Sequence, residues 1–400
     1  MSTSERSFSA PESLSLFQDV IKELKLTVDY SETLLSIGTD KYVVSICTVK
    51  DKYVSQQGFG KGRALQGELS GRWEALEHYL LQNIDDSRCP VFDLNELYQK
   101  DMLIPDRDIL RALQKGLLPG EFKCLKFEEL ITNSIAYTPL EWLDPFFESE
   151  RLPSVPITNS GTSVGGTYVD ALLHSINELI ERQMESNFYL SVILPQKTCE
   201  KVCVVDRAMS EKNRSLLNVI EKKYKTKVTV VYLGTMCGVY TFGAFASVDF
   251  CKMTQTGYGA SLSPDYAMTR AITELLQAFE LYNDERYAED EAILMQCKNR
   301  PGMLKIFHLN LDGIKKDYLQ ELPIDNSIGK SPEMQVNEII SKLKTVVSKI
   351  YVGEVWKSNV NDSVCLRVII PEFEKLDMLR SGVLVLPSTE GLNRYKKACQ

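Results

Sequence analysis

The residues best suited to chemistry lie in one stretch, Gly161 to Glu185. Three glycines, Gly161, Gly165 and Gly166, open an amphipathic helix whose apolar side carries Ala171, Leu172, Ile176, Leu179 and Ile180. At about 100° per residue, Ser175, Glu178 and Arg182 fall within one sector roughly 60° wide. Glu181 stands beside them. A hydroxyl, a carboxylate and a guanidinium aimed the same way, just after a glycine turn, suit a metal-bridged phosphate. Carboxylates bind a hard cation, and the guanidinium pairs with phosphate oxygens.

Two other stretches repeat this pattern. Gly58-Phe59-Gly60-Lys61-Gly62 leads into a helix over 64–81, where Ser70, Glu74 and Glu77 share one face at i, i+4, i+7. Gly257-Tyr258-Gly259 leads into a helix over 264–282, which carries Glu274 and Gln277 at i, i+3. Glycine turns at helix N-termini offer backbone N–H groups to anions, and Lys61 adds a mobile cation. Glu74, Glu77, Glu178 and Glu181 can supply carboxylates to Mg²⁺ from two helices, with ATP phosphates completing the shell. The first turn is neither a Walker loop, lacking the spacing and the trailing Ser/Thr, nor a dinucleotide fingerprint, because Arg63 stands where glycine is needed. Each glutamate alone also reads as a solvated helix-face residue, and Ser70 and Ser175 as groups bonded back to the preceding turn. The threefold recurrence favours a site.

The elements around these helices read as mixed α/β. A helix over 14–26, a strand over 43–49, a strand over 202–205, a hairpin of 228–233 with 240–246, a charged helix over 284–300, a helix over 334–350 and strands over 364–370 and 383–386 are expected. Residues 1–30 are expected to start disordered. Seven prolines between 90 and 156 break residues 85–157 into an extended, partly helical excursion, with 139–156 a non-regular crossing segment. Residues 301–335 read as irregular. The expected organisation is an N-terminal segment, 1–53, and one catalytic domain, 54–400.

Composition narrows the function classes. The 400 residues are 44% hydrophobic and 25% charged, a globular profile, and the net charge of −8 argues against a nucleic-acid surface. The first twenty residues lack a signal-peptide core, and no apolar run approaches the roughly 18 residues of a membrane span. A cytoplasmic protein with no membrane partner is expected. Ten cysteines include no Cys-x-x-Cys pair, which reads as buried reduced thiols. With only His78, His174 and His308, a histidine metal site or a Ser-His-Asp triad has little material.

The ordered set of motifs resembles the YcaO family. Gly60-Lys61-Gly62 followed by Ser70 and Glu74 matches its first signature; Ser175, Glu178 and Arg182, with Glu181 within, match its second; and Glu274 with Gln277, after a Gly-x-Gly turn and Ala271-Ile272-Thr273-Glu274, match its third. The resemblance is clear from Val54 to Tyr282 and fainter to Pro387. It implies a YcaO-type ATP-binding fold of repeated glycine-turn–helix units on mixed sheets. It also implies an ATP- and Mg²⁺-dependent cyclodehydratase. In that chemistry a Cys, Ser or Thr side chain of a ribosomal precursor peptide adds to the preceding carbonyl, the oxygen is phosphorylated and phosphate leaves, giving a thiazoline or oxazoline. By the family pattern, Lys61, Ser70, Glu74, Ser175, Glu178, Arg182, Glu274 and Gln277 bind the nucleotide, Glu74, Glu77, Glu178 and Glu181 hold metal, and Glu178 and Arg182 are catalytic.

The implied setting is a bacteriocin or microcin-like antibiotic synthetase. Its other parts would be a separate leader-peptide-binding protein resembling ubiquitin-activating enzymes and a flavin-dependent dehydrogenase. Two departures stand out. The sequence ends without the Pro-x-Pro-x-Pro tail of many azoline-forming members, and Asp170 replaces the more usual glutamate. Thioamide or amidine formation and a silent scaffold remain as alternatives.

Overall fold

The computed structural model describes residues 5–37, 40–143, 156–194, 203–205, 208–309, 311, 318–389 and 391–393. In chain order the elements are α1 (Ala10–Glu23), β1 (Thr27–Ile37), β2 (Asp40–Lys50), β3 (Ser55–Arg63), α2 (Ala64–Gln82), β4 (Val91–Asp93), α3 (Leu94–Gln99), α4 (Arg107–Gln114), β5 (Glu121–Glu129), β6 (Ile135–Pro139), β7 (Thr162–Gly165) and α5 (Tyr168–Ile193). Then follow β8 (Cys203–Val205), α6 (Glu211–Tyr224), β9 (Thr229–Met236), β10 (Val239–Ala246), β11 (Gln255–Ser261), α7 (Pro264–Glu280), α8 (Asp284–Cys297), α9 (Pro301–Phe307), β12 (Tyr318–Leu319), α10 (Pro332–Leu343), β13 (Tyr351–Lys357) and β14 (Val364–Ile369).

They build three sheets, ordered β1-β2-β3, β11-β10-β9-β8-β12 and β4-β5-β13-β14-β7, with β6 beside β5. The α/β expectation holds, in its mixed α+β form, since nearly every pairing is antiparallel; β12 with β8 is parallel.

The three polar helices each follow a strand and pack on it: α2 on β3, α5 on β7 and α7 on β11. The glycines make this possible; Gly161 does sit in a turn, with φ +84°, but those before α2 and α7 are not the turns expected from sequence. Gly58 and Gly60 lie within β3, and Gly257 and Gly259 within β11. A Cβ on Gly60 would sit 2.0 Å from the Gly67 carbonyl oxygen, and one on Gly257 would sit 2.3 Å from that of Ala271. Helix backbone therefore lies directly on strand backbone, a closeness no other residue permits. The expectation that these glycines cradle anions with N–H groups is corrected: in a strand those groups go to the ladder.

Helix α5 is the centre of the fold. Seventeen of its 26 residues are buried, so its polar groups point into the protein. Its apolar residues Ala171, Leu172, Ile176, Leu179 and Ile180 join a core with β14 and α10.

Other expectations need correction. Residues 85–157 contain the regular strands β5 and β6, since Pro90, Pro105, Pro119 and Pro139 fall at strand ends and in connections; much of the expected 139–156 crossing lies outside the described residues. Residues 383–386 form no strand, 301–307 form α9, and β1 and β13 were not expected. Glu5 to Ser9 are held rather than loose: Ser7 N and Oγ donate to Asp170 Oδ1 at 2.9 and 2.8 Å, and Ser261 Oγ bonds Glu5. Among the described residues, eight cysteines are free thiols and no helix is long and apolar enough to cross a membrane.

Candidate active site

The polar faces of α2, α5 and α7 converge. From α2, Glu74 accepts the Phe59 N–H at 3.0 Å, and Glu77 lies beside Glu74 and Glu178. From α5, Glu178 accepts the Gly161 N–H at 3.1 Å. Glu181 lies 3.7 Å from Arg270, and Arg182 Nη1 donates to Glu185 at 3.0 Å. From α7, Glu274 pairs with Lys61 at 2.5 Å, and Gln277 Nε2 donates to the Phe59 carbonyl at 2.6 Å. Strand β3 thus runs between α2 and α7, tied to both.

Two positions differ from the sequence picture. Lys61 is a strand residue already neutralised by Glu274, not a free cation in a turn. Ser175 is fully buried, its hydroxyl 3.0 Å from that of Ser163, which in turn donates to the Ala171 carbonyl at 2.6 Å. It faces β7, while Glu178 and Arg182 are partly open. Ser70 lies half-buried on the Glu74 face of α2.

Four charged groups at the site were absent from the sequence reading: Arg270, Arg367, Glu185 and Asp377. Arg270 is one turn before Glu274, a spacing that could have revealed it. Arg367 is an arginine inside a buried apolar strand, itself an audible signal. It donates to Thr162 Oγ1 at 2.7 Å and to the Thr158 carbonyl at 2.6 Å. Asp377 lies in a 3₁₀ turn, 376–381, packed on α5.

Carboxylates outnumber cations here: Glu74, Glu77, Glu178, Glu181, Glu185, Glu274 and Asp377 stand against Lys61, Arg182, Arg270, Arg367 and, beside Asp377, Lys375. Burial raises Glu74, Glu178 and Glu181 above the usual carboxylate range despite nearby cations, and raises Glu77 further because Glu178 and Glu74 repel it. Burial and Asp377 push Glu185 up to about 7 against the pull of Arg182. Glu274 is the exception: burial opposes its ionisation, but Lys61 and Arg182 hold it below the usual range. A buried Glu181 oxygen, Oε2, has no hydrogen-bond partner. Unrelieved negative charge of this kind fits divalent cations. Among the described residues no three acidic, His or Cys side chains converge closely enough to enclose a metal alone, so an ion here would share its shell with ligand oxygens, as Mg²⁺ does beside phosphates.

Beyond Arg182 a cavity opens, walled by Ile109, Trp142, Leu179 and Phe373 and reached also by Arg367 and Asp377.

The fold is shared with solved structures. The chain is similar to YcaO from Methanopyrus kandleri bound with AMPPCP and Mg²⁺ (18% identity, TM-score 0.66, 96% of each chain). It is also similar to a heterocyclase in complex with substrate and cofactor (14%, TM-score 0.64, 93% of this chain but 53% of that one) and to the E. coli microcin synthetase McbBCD complex with pro-MccB17 bound (13%, TM-score 0.58, 87% and 88%). No curated protein matches the sequence. A family model for YcaO cyclodehydratases, which bind ATP and Mg²⁺, matches residues 59–374, and with most of its length matched the chain belongs to the YcaO family.

Proposed function

We propose that this chain is an ATP- and Mg²⁺-dependent cyclodehydratase that activates a backbone amide of a ribosomally made precursor peptide by phosphorylating its oxygen. A neighbouring Cys, Ser or Thr is thereby converted to a thiazoline or oxazoline. The observation that carries this reading is the position of Arg182, between the carboxylate cluster and the apolar cavity. An amide oxygen is a poor leaving group, and a guanidinium shared by the two spaces can stabilise a phosphoryl group as it passes between them.

The residues divide by task. Glu74, Glu77, Glu178 and Glu181 would hold Mg²⁺, which when bound supplies the counter-charge for the nucleotide phosphates. Ser70, Gln277 and the Lys61–Glu274 pair would orient the nucleotide. Arg182, gripped by Glu185, keeps its charge because four carboxylates surround it despite burial. Bound nucleotide and peptide would displace water from this space, which would strengthen each of these interactions. The expected setting is a multiprotein synthetase with a leader-binding partner and, for azoles, a flavin-dependent dehydrogenase.

The test is Mg²⁺-dependent ATP hydrolysis with and without the Cys/Ser-rich precursor encoded nearest the gene and its partner proteins, followed by mass spectrometry. Loss of one water per modified residue, coupled to ATP use, is expected. An oxygen-to-sulfur mass gain would instead establish thioamide formation. No ATP use and no mass change would leave a scaffold.

A further inference from the structure

Addition of a thiol or hydroxyl to an amide carbonyl releases a proton, and a group must take it. Three carboxylates line the cavity beyond Arg182: Asp106, Glu374 and Asp377. The first two are committed. Asp106 caps α4, accepting from the N–H groups of Asp108 and Ile109 at 2.9 and 3.2 Å, and it also accepts Lys375 Nζ at 2.6 Å. Glu374 is held by the Ser388 N–H at 3.0 Å and lies 3.8 Å from Arg107. Asp377, among the described residues, accepts backbone N–H groups of its own turn, its own and that of Met378, and it lines the cavity partly exposed.

We propose that Asp377 is the proton acceptor for the attacking side chain in the cyclodehydration inferred above, an assignment that rests on that reading. The substrate thiol or hydroxyl gives its proton to the Asp377 carboxylate as its sulfur or oxygen bonds to the carbonyl carbon. The carbonyl π pair moves to oxygen, which takes the terminal phosphoryl group of ATP as the bond to ADP breaks. Phosphate then leaves with the oxygen, and the amide N–H proton departs as the carbon–nitrogen double bond forms.

The surroundings suit the role. From α5, Arg182 and Glu185 face Asp377; from the preceding loop, Lys375 does, itself bonded to Asp106 and 3.7 Å from Asp108. From α9 the Ile306 carbonyl accepts Arg380 Nη1, of the same 3₁₀ turn as Asp377, at 3.1 Å. Burial raises Asp377 above the usual carboxylate range, while Arg182 and then Lys375 pull it back. A base is more effective as its pKa approaches the working pH. Behind Arg182 and Glu185, the buried hydroxyls of Tyr189 and Tyr258 lie 2.8 Å apart.

The experiment uses Asp377→Asn in the full chain, with the Cys-containing precursor and Mg-ATP for turnover, and Mg-AMPPCP for calorimetric binding. At pH 7 turnover should fall by about 10²-fold or more, the usual contribution of a positioned base. Mg-AMPPCP affinity should stay within about threefold of wild type, a change worth less than 1 kcal/mol. Raising the pH toward the free-thiol value of about 8.5 should restore much of the variant's rate, because the nucleophile then ionises unaided. With a Ser-only precursor, no such recovery is expected. Wild-type turnover in the variant overturns the assignment. So does equal loss at both pH values with weakened Mg-AMPPCP binding, which would make Asp377 a positioning residue for Arg182. A precursor left unchanged by the wild-type chain removes the functional reading, and the assignment with it.

Discussion

On one side of Arg182 lie carboxylates carried by three helices, each laid on its own strand; on the other lies a cavity walled by α4, the turn at Trp142, α5 and the end of β14. The first space is dense in charge and set by close backbone contact. The second is mostly apolar and set by side-chain bulk contributed from distant parts of the chain. A site that must hold an anionic nucleotide needs fixed charges and cations, whereas a site that must accept many peptide sequences needs shape and dryness. The difference implies a division of labour, nucleotide in the cluster and peptide in the cavity, with Arg182 common to both.

The largest effect should come from the shared residue. Arg182→Ala is expected to lower turnover by about 10³-fold or more, the scale at which an arginine stabilises a transferring phosphoryl group. It also leaves Glu185 without its hydrogen-bonded partner. Glu178→Gln should match the loss in turnover but keep the helix, whose propensity hardly changes. Circular dichroism together with ATP-coupled mass spectrometry checks both. Near-normal turnover in either would remove α5 from the mechanism and dissolve the comparison.

Next comes a change confined to the cavity. Phe373→Ala removes a half-buried wall. If the cavity holds peptide, the KM for precursor rises roughly tenfold, the worth of about 1–2 kcal/mol of lost apolar contact, while Mg-AMPPCP affinity stays unchanged. A drop in nucleotide affinity with unchanged peptide KM would reverse the assignment of the two spaces.

The cluster was the legible half. Glu74, Glu178, Arg182, Glu274 and Gln277 announced themselves because helical spacing converts sequence separation into a shared face. The glycine strands were also audible, but with the wrong meaning. Glycine before a helix suggests a turn, and nothing local says that the helix will lie so close to its strand that a Cβ has no room. The cavity was silent. Ile109, Trp142 and the Phe373–Asp377 segment come from three separate places, and residues in a loop or a 3₁₀ turn carry no periodicity. Strand β5 was hidden in the same way by the prolines around it.

A smaller effect concerns pH. Glu185 is raised in the fold from 4.5 to about 7, so the fold favours its protonated form. Such a group contributes stability below pH 4.5, and that contribution is lost as pH rises through about 7. His174, which burial and then Arg270 hold neutral, works oppositely but only below its unfolded value of 6.5. Between pH 6.5 and 8 the nucleotide-free chain should therefore lose about 1 kcal/mol, read as a fall in Tm of a few degrees or less. Glu185→Gln should flatten this slope. A wild-type Tm that rises with pH over that range would show that Arg182 keeps Glu185 ionised throughout.

The smallest expected effect is also the sharpest distinction between motif and site. Ser175 belongs to the same Ser-x-x-Glu-x-x-x-Arg signature as Glu178 and Arg182, yet its hydroxyl is spent on Ser163 beneath the helix. Ser163 keeps a second partner, the Ala171 carbonyl, so Ser175→Ala strands no buried donor. The variant should lose only the net value of one hydrogen bond, about 1 kcal/mol, with Mg-AMPPCP affinity unchanged by calorimetry. If instead affinity falls tenfold or more while Tm holds, the hydroxyl turns toward the nucleotide on binding, and the surface between α5 and β7 becomes part of the nucleotide site.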